Sequence, residues 1–281
     1  MPTLLVTGAG RGIGNTMVKR ASARGDTVFA AVRKQADFDK FAGMAGVHPV
    51  LMDVSSDASV EAAFAEIDRL LAGKPLNGVA HCAAVQPSGT IEVLPVSTFA
   101  DVLNNNTLGS LRVLKGSIPR LRGHDGRIVL VTSLWGRAAS PMLAPYCASK
   151  HAIEAIADVA RRETIGMNMH VIVAQPGVVH TDMADQEAAN AARSLEALSP
   201  EHKQRYGNMY RRYENLVKGG QKGGISADEA SAQIERALTA ARPKRRYRFG
   251  MDSKAVVFLQ WLLPDSWMDF ALGKSVNHQP L

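Results

Sequence analysis

Short apolar runs alternate with longer stretches of helical periodicity along most of this chain. Seven runs, most of them rich in β-branched residues, follow this spacing: Thr3–Thr7, Thr27–Val32, Val47–Leu51, Gly78–Cys82, Arg127–Thr132, Val171–Ala174 and the weaker Tyr247–Phe249. The segment Ile128-Val129-Leu130-Val131 is apolar throughout, as in strands that helices cover on both faces. The pattern therefore predicts βαβ units and a doubly wound α/β fold with a parallel sheet of about seven strands.

The alternation stops after the sixth run. Residues 182–224, here called the insertion, are polar and helical in composition, and we expect them to lie over the carboxyl edge of the sheet, where open α/β folds bind ligands. Within them Ser199-Pro200 predicts a helix start and Gly219-Gly220 its end. Apolar residues between these signals recur at helical spacings and predict one aromatic-rich face: Tyr206, Met209, Tyr210, Tyr213, Leu216 and Val217. That face is either ordinary packing or the lid of a pocket.

Composition places the chain among globular proteins. It has 281 residues, of which 46% are hydrophobic and 21% charged, with a net charge of +7. The length is compatible with one domain over residues 1–281, with an apolar helical extension at residues 251–281. The basic excess is concentrated in residues 241–248. No nucleic-acid motif accompanies this segment, so we interpret it as solvated and expect no nucleic-acid partner.

The two cysteines, Cys82 and Cys147, have neither the spacing of a metal site nor that of a disulfide framework. This usage favours a reducing compartment, and we expect a cytoplasmic protein without a metal. The first residues lack the charged and apolar regions of a secretory signal. The longest late apolar run, residues 255–263, is too short to cross a bilayer, so we expect no membrane span.

A glycine-rich turn follows the first run directly and reads Thr7-Gly8-Ala9-Gly10-Arg11-Gly12-Ile13-Gly14. Such glycines let main-chain amides and a helix N-terminus approach a pyrophosphate. The G-x-G-x-x-G fingerprint would need glycine in place of Ile13, and a phosphate-binding P-loop would need Lys-Ser/Thr after the last glycine. The pattern that remains, T-G-x-x-x-G-x-G, resembles the short-chain dehydrogenase/reductase family. That resemblance implies a Rossmann-type sheet and a nicotinamide dinucleotide held by Gly8, Arg11, Gly12, Ile13 and Gly14.

The residue after the second run bears on the choice of cofactor. A carboxylate there would bind ribose hydroxyls, whereas this chain has Arg33. In similar proteins a basic residue at this place, or inside the glycine turn like Arg11, marks a preference for NADP(H). We therefore expect NADP as the cofactor.

Three further segments resemble cofactor-binding motifs of the family. The pair Asp53-Val54 after the third run matches the family's Asp-Val, whose aspartate meets the adenine. The family's Asn-Asn-Ala-Gly is replaced by His81-Cys82-Ala83-Ala84, in which only Ala83 matches. The segment 176–181 resembles P-G-x-x-x-T, and the resemblance implies that the nicotinamide carboxamide is held by Pro176, Gly177, Val179 and Thr181.

Tyr146 and Lys150 lie four residues apart and face the same side of a predicted helix. A neighbouring ammonium favours the ionised phenol, so we expect Lys150 to lower the pKa of Tyr146. Ser133 stands at the end of the fifth run, thirteen residues before Tyr146. Thr132 and Ser140 are its competitors for the role of the catalytic serine. The family resemblance implies that Tyr146 moves the proton, Ser133 polarises the carbonyl and Lys150 binds the nicotinamide ribose.

A catalytic asparagine is implied by Asn106-Thr107-Leu108-Gly109, which matches the family's N-x-x-G. Its role in the family is to support a water relay to the lysine. Asn104 and Asn105 are adjacent competitors, and Gly109 sets the register. The helices at residues 102–114 and 152–159 have apolar periodicity. In similar proteins such helices pair across a twofold axis, and we therefore expect this chain to form a homodimer or homotetramer.

The Tyr-Cys-Ala-Ser-Lys block and the ending at residues 245–250 most resemble the branch that includes retinol and 17β-hydroxysteroid dehydrogenases. This implies hydride transfer between NADP(H) and a carbonyl/alcohol pair on a bulky apolar, steroid- or retinoid-like substrate. Five residues beside the motifs would line its pocket: Trp135, Met142, Leu143, Val179 and Met183. The alternatives are a broad reductase of smaller aldehydes and ketones and a non-catalytic NADP(H)-sensing protein.

Overall fold

A computed structural model describes residues 2–220 and 223–276, with residues 182–185 as main chain only. In these ranges the chain forms nine strands: β1 (Thr3–Thr7), β2 (Thr27–Val32), β3 (Val47–Leu51), β4 (Gly78–His81), β5 (Gly126–Val131), β6 (Met169–Pro176), β7 (Val179–His180), β8 (Ile225–Ser226) and β9 (Arg246–Phe249). Seven of them form one parallel sheet in the order β3-β2-β1-β4-β5-β6-β9. This confirms the predicted doubly wound α/β fold.

Eleven α-helices occur in the same ranges: α1 (Gly12–Ala23), α2 (Gln35–Asp39), α3 (Asp57–Leu71), α4 (Val96–Val102), α5 (Gly109–Leu121), α6 (Ala144–Glu163), α7 (Asp182–Ala197), α8 (Pro200–Gly220), α9 (Ala227–Thr239), α10 (Met251–Leu262) and α11 (Asp265–Val276). A π-helical segment, Leu103–Leu108, joins α4 to α5, and a 3₁₀ turn, Leu134–Gly136, precedes α6. No helix in residues 2–220 and 223–276 has the combination of length and apolarity needed to cross a bilayer.

The sheet lies between two apolar cores, which explains why its strands are apolar throughout. Successive side chains of β5 point to opposite faces: Ile128 and Leu130 enter one core, while Val129 and Val131 enter the other. Helices α3, α5 and α6 cover the first face, and α1 and α9 cover the second. Both faces of the strand are therefore removed from water.

The predicted strands agree with the structure except at their ends. The fourth strand ends at His81 rather than Cys82, and the sixth begins at Met169 and continues to Pro176. The sixth is longer because β6 pairs with β5 along its first part and with β9 along its last part. The helix predicted between Ser199-Pro200 and Gly219-Gly220 is confirmed as α8.

The insertion folds as a helical hairpin in which α7 packs against α8, and α11 packs against α8. Its two ends are joined by a small parallel sheet, where Val179 pairs with Ile225 and His180 pairs with Ser226. Ser226 also caps α9 in a reciprocal capping box with Glu229. The two ends of the insertion are thus held together at its base. The interpretation of its aromatic face as the lid of a pocket stays a prediction, and residues 221 and 222 lie outside the described residues.

Candidate active site

The glycine turn between β1 and α1 is shaped by main-chain contacts. Gly8 has φ +67°, a conformation that favours glycine, and a Cβ on it would lie 2.8 Å from the Cα of Ala83. A Cβ on Gly14 would lie 2.3 Å from the carbonyl oxygen of Gly8. The turn therefore admits no side chain at either position. It leaves the N-terminus of α1 open to an anion, as a pyrophosphate requires, while Ile13 beside it is half-buried against the core.

The opposite side of this turn joins the loop after β6. A Cβ on Gly12 would lie 3.3 Å from Cγ2 of Thr181, which stands at the start of α7. Arg11, the residue before α1, is exposed, and its guanidinium donates to the Gln186 side chain at 2.5 Å. The glycine turn and the end of the P-G-x-x-x-T segment are thus neighbours.

Charged side chains surround the end of β2, where the cofactor ribose is expected. Arg33 is exposed directly after the strand and contributes to the lowered pKa of Asp53, as does Arg112. A carboxylate that the sequence analysis did not consider, Asp37 on α2, lies against Gly10. Lys40 pairs with Asp37 at 2.6 Å. The acidic group near the glycine turn is therefore Asp37, and its charge is balanced by the ion pair with Lys40.

Asp53 and Val54 occupy the loop after β3. Asp53 Oδ1 accepts from both the main-chain N–H and the hydroxyl of Ser55, at 2.9 and 2.6 Å. These hydrogen bonds keep the carboxylate ionised despite partial burial. Val54 is buried against Gly109. A Cβ on Gly109 would lie 3.0 Å from Cγ2 of Val54. Gly109 thereby lets α5 approach this loop closely.

The Pro176-Gly177 turn is held by a residue from the far end of the chain. The Asp252 carboxylate, in the first turn of α10, accepts from the Val178 main-chain N–H at 2.6 Å. A Cβ on Gly177 would lie 1.9 Å from the same carboxylate, so a side chain there would displace Asp252 from this hydrogen bond. Asp252 is a positioning residue for this turn that sequence reasoning missed. An aspartate just after Gly250 at a helix start was the available signal.

Tyr146 and Ser133 meet at the carboxyl end of β5. Ser133 lies two residues after the end of β5, directly before the 3₁₀ turn, and its hydroxyl accepts from the Trp135 main-chain N–H at 3.2 Å. Burial raises the pKa of Tyr146, and a hydrogen bond with Ser133 opposes part of this shift. The competitor Thr132 is used elsewhere, since its hydroxyl donates to Glu154 Oε1 at 2.7 Å and lies 3.1 Å from the Ala174 carbonyl oxygen.

Lys150 lies one helical turn beyond Tyr146 and is buried. Its ammonium donates to the Val131 carbonyl at 2.9 Å and lies 5.5 Å from the centroid of the Tyr146 ring. Burial lowers the pKa of Lys150 to about 8. The expected net lowering of the Tyr146 pKa is wrong for this arrangement, because desolvation of the buried phenol raises that pKa more than its neighbours lower it.

Asn106 is the buried member of the three consecutive asparagines. Its amide oxygen accepts from the Val85 main-chain N–H at 2.8 Å, and its amide nitrogen donates to the Val85 carbonyl at 2.9 Å and to Ser149 Oγ at 3.0 Å. Asn104 instead bonds Ser55 and Arg112 on the other side of the π-helical segment. The register chosen from Gly109 thus places the amide of Asn106 against the helix that carries Tyr146 and Lys150.

His81, to which the sequence analysis assigned no function, bridges the glycine turn and the asparagine helix. Its Nδ1 is 2.7 Å from Thr7 Oγ1, and its Nε2 is 3.0 Å from Ser110 Oγ. Ser110 donates its proton to the Asn106 carbonyl at 2.6 Å, so the network assigns the ring proton to Nε2. Burial lowers the pKa of His81 to about 3, so the ring is neutral. The only sequence signal was the replacement of an asparagine in the family motif.

A second buried polar network supports the site from behind. Glu154, one turn after Lys150 on α6, accepts from Thr132, Gln175 and Arg246. Arg246 was predicted to belong to a solvated basic segment, and for this residue the prediction is wrong. Its guanidinium is half-buried and pairs with Glu154 and Asp158, because β9 lies beside β6.

An apolar cluster covers Tyr146 from the side of the insertion. It contains Met142, Leu143, Tyr210 and Tyr213, with Trp135 packed against it. Of the predicted pocket residues, Val179 packs instead into the core with α1 and α9, because β7 directs it there. The side chain of Met183 lies outside the described residues. On α8 the predicted aromatic face is observed, except that Leu216, at its edge, is 45% exposed.

Comparison with known proteins gives consistent matches. A family model described as short chain dehydrogenase matches residues 2–192. Human 17-beta-hydroxysteroid dehydrogenase type 6 is 28% identical over 97% of this chain and 88% of its own. The NADPH-dependent 3-dehydrocapnine reductase of Ornithobacterium rhinotracheale is 26% identical over 97% of this chain and 96% of its own. The first of these relatives agrees with the branch resemblance.

A solved structure has the same fold. The short chain dehydrogenase from Burkholderia cenocepacia J2315, solved in complex with NADP, superposes with a TM-score of 0.74 at 21% identity, over 96% of this chain and 97% of that one. The predicted Rossmann-type architecture is thereby confirmed.

Proposed function

The chain belongs to the short chain dehydrogenase family, and from that premise we propose that it is an NADP(H)-dependent oxidoreductase that interconverts a carbonyl and an alcohol. The observation that carries this proposal is the convergence of Ser133, Tyr146 and Lys150 at the carboxyl end of β5, beside the glycine turn. We take residues 1–281 as one oxidoreductase domain, in which the insertion covers the substrate side and residues 251–281 are a C-terminal extension.

Tyr146 is the proton donor for reduction in this proposal. Because burial raises its pKa, the phenol is protonated at neutral pH and has a proton to give to the alkoxide oxygen. Ser133, in hydrogen-bond contact with Tyr146, donates to the same oxygen and polarises the carbonyl. The nicotinamide, when bound, supplies or accepts the hydride.

Lys150 acts on the product of that proton transfer. A pKa of about 8 leaves the ammonium mostly charged at neutral pH, and a cation near the ring stabilises the phenolate once it forms. Asn106 fixes the loop at Val85 to the helix that carries both residues. These four residues are proposed as the catalytic set.

The preference for NADP(H) is supported by charge. Arg11 and Arg33 are both exposed where the adenosine ribose is expected, and the nearby Asp37 is paired with Lys40. A guanidinium offers charge-assisted hydrogen bonds to a 2′-phosphate. The NADPH-dependent relative and the NADP complex of the structural neighbour support the same choice.

A bulky, largely apolar substrate is supported by the cluster over Tyr146. Aromatic and aliphatic side chains from α6, the loop before it and α8 converge there. The relative named for hydroxysteroid chemistry agrees with this class.

The test is NADPH oxidation against a panel of steroid and retinoid carbonyls and of smaller aldehydes and ketones. We expect turnover of bulky members, and Tyr146→Phe to lower kcat roughly 10²–10⁴-fold while the NADPH Kd stays the same. Tyr247→Phe, which removes a hydroxyl bonded to Lys244 far from the site, is the control. Preference for the small members would favour the broad reductase, and a variant keeping a tenth of the rate would remove Tyr146 from its role.

A further inference from the structure

A buried carboxylate stands inside the apolar cluster that covers Tyr146. Glu187, on α7, is 7% exposed. Among the residues that the structure describes, no lysine, arginine or histidine forms an ion pair with it. Taking an ionised carboxylate out of water is costly unless hydrogen bonds or a cation compensate it. A lone acidic group in this position therefore needs an explanation.

The partners of Glu187 are neutral donors from two other elements. The Tyr213 hydroxyl on α8 donates to Glu187 Oε1, and the Gln86 side chain in the loop after β4 acts to lower the Glu187 pKa. Burial raises the pKa of Tyr213, so this phenol keeps its proton and acts as a donor. Burial likewise raises the pKa of Glu187. These contacts satisfy part of the carboxylate and bring no positive charge.

Glu187 is near the proposed proton donor. Burial is the main cause of the raised pKa of Tyr146, and the negative charge of Glu187 adds to it. Tyr213, its hydrogen-bond partner, packs in the same buried cluster as Tyr146. A substrate whose carbonyl oxygen lies at Tyr146 and whose body fills this cluster would pass beside Glu187.

The loop that carries Gln86 offers more hydrogen-bonding capacity than the described residues use. Ser88 Oγ and Thr90 Oγ1 are buried without a partner among them. The main chain of the same loop is well fixed, since Gly89 donates to the Met142 carbonyl at 2.8 Å and Thr90 to the Tyr210 hydroxyl at 3.3 Å. A buried hydroxyl without a hydrogen-bond partner is unfavourable for the folded state. These two hydroxyls could form hydrogen bonds with a polar group of a bound ligand.

We propose that Glu187 is a substrate-binding residue that accepts a hydrogen bond from a donor group, a hydroxyl or a protonated amine, carried by the substrate away from its reacting carbonyl. The proposal rests on the proposed function for the position of that carbonyl. It narrows the substrate class from bulky and apolar to bulky with one remote donor. The competing explanation is that Glu187 only fastens α7 to α8 through Tyr213.

Three aryl ketones that differ only in a terminal aminomethyl, hydroxymethyl or ethyl group test the proposal. The aminomethyl and ethyl groups have nearly the same shape, so a difference between them reports the charge and the donor. We expect wild-type kcat/KM to be about 10- to 100-fold higher for the aminomethyl ketone than for the ethyl ketone, with the hydroxymethyl ketone between them. The difference should lie in KM.

Glu187→Gln keeps the volume and one acceptor oxygen but removes the charge. We expect it to erase the aminomethyl preference, to reduce the hydroxymethyl preference and to leave the ethyl ketone within about threefold of wild type. Glu92→Gln is the matched control, because Glu92 also accepts from a tyrosine of the insertion, Tyr206, but at an exposed place. The control should keep the wild-type preference.

Binding of the same three ketones to the NADP-loaded protein, followed by calorimetry, separates the two proposals. Donor-dependent binding that Glu187→Gln abolishes, without turnover of any ketone, would support the role of Glu187 and contradict the oxidoreductase. Equal wild-type affinity for the three ketones would overturn the role of Glu187, and this measurement needs no variant to fold. Equal losses for all three ketones in Glu187→Gln would show that the residue only fastens the insertion.

Discussion

The cofactor end of the sheet and the insertion above it are built from different kinds of contact. At the cofactor end the closest approaches are between main-chain atoms, as between Gly14 and the Gly8 carbonyl oxygen. In the insertion they are between long side chains and distant partners, as between the Tyr210 hydroxyl and Thr90, 120 residues apart. The cofactor end leaves no space for added atoms. The packing of the insertion depends instead on the hydrogen bonds that its side chains make.

This difference explains why one region can be found by its motif and the other cannot. A main-chain approach of 2.3 Å to an added Cβ restricts a position to glycine, whatever surrounds it. A hydrogen bond between distant side chains can be made by many pairs of residues, so it has no fixed spacing. Adding atoms should therefore damage the cofactor end, and removing them should damage the insertion.

The largest effect is expected from Gly14→Ala. The new methyl group would meet the Gly8 carbonyl, which cannot rotate away, so we expect a loss of about 3 kcal/mol in the free energy of unfolding, at the upper end for overpacking. NADPH binding should weaken with it. Chemical denaturation and calorimetry measure both quantities. Gly219→Ala is the control, because nothing lies within 4 Å of its added Cβ. Wild-type behaviour of Gly14→Ala would contradict the main-chain account.

Arg33→Asp should reverse or erase the preference for NADPH over NADH. Each charge-assisted hydrogen bond contributes about 1.5–3 kcal/mol, and screening at this exposed position leaves roughly one to two powers of ten in kcat/KM. The new carboxylate would repel the 2′-phosphate and accept from a 2′-hydroxyl. Steady-state kinetics with both cofactors measure the ratio, and Arg242→Asp, in the exposed basic segment, is the control. An unchanged ratio would mean that Arg33 does not contact the phosphate.

His81→Asn should change the pH dependence of stability. The folded-state pKa of His81 is lowered to about 3 from an ordinary value of 6.5, so its stabilising effect is complete above pH 6.5 and is lost as the pH falls below it. At pH 5.5 the loss is about 1.4 kcal/mol. Denaturation between pH 7 and 5 should show this slope in wild type and in the control His124→Asn on an exposed loop. If the free energy of unfolding of His81→Asn still fell with pH as in wild type, another titrating group would be responsible for this pH dependence.

The smallest effect is expected from Tyr210→Phe in the insertion. It leaves the Thr90 main-chain N–H without its acceptor and should lower the free energy of unfolding by about 1 kcal/mol. The substrate KM should rise while the NADPH Kd stays constant, since the contact belongs to the insertion. Tyr206→Phe, whose hydroxyl bonds the exposed Glu92, is the control. A weakened NADPH affinity in Tyr210→Phe would break the separation of the two regions.

The fold was predictable because its signals are local. The first three strands were placed at their observed ends from apolar runs alone, and α8 from its start and stop residues. The sixth strand was predicted too short. Its first residues, Met169 and His170, do not continue the apolar run, and only pairing with β5 makes them extended.

The site residues were predictable where they belong to one helix, whose residue spacing shows which side chains share a face. They were not predictable where the site is formed by contacts between different helices and strands. Tyr146 and Lys150 share a helix face, and Gly109 set the register for Asn106. The direction of the Tyr146 pKa could not be derived, because it depends on desolvation by residues remote in sequence. Asp252, Glu154 and His81 were missed for the same reason. Each acts on a partner from another strand or helix.

The sequence by itself determined the doubly wound parallel sheet, the glycine turn and the helix face that Tyr146 shares with Lys150, since each has its signal in neighbours within a few residues or in a position that admits only glycine. Tertiary structure alone decided that Asp252 holds the Pro176-Gly177 turn and that Glu187 is buried beside Tyr146. Those outcomes depend on how the insertion and α10 pack on the sheet. The burial of a side chain and the charges around it depend on residues that are far apart in the sequence. Long-range contacts in the folded protein therefore decide both.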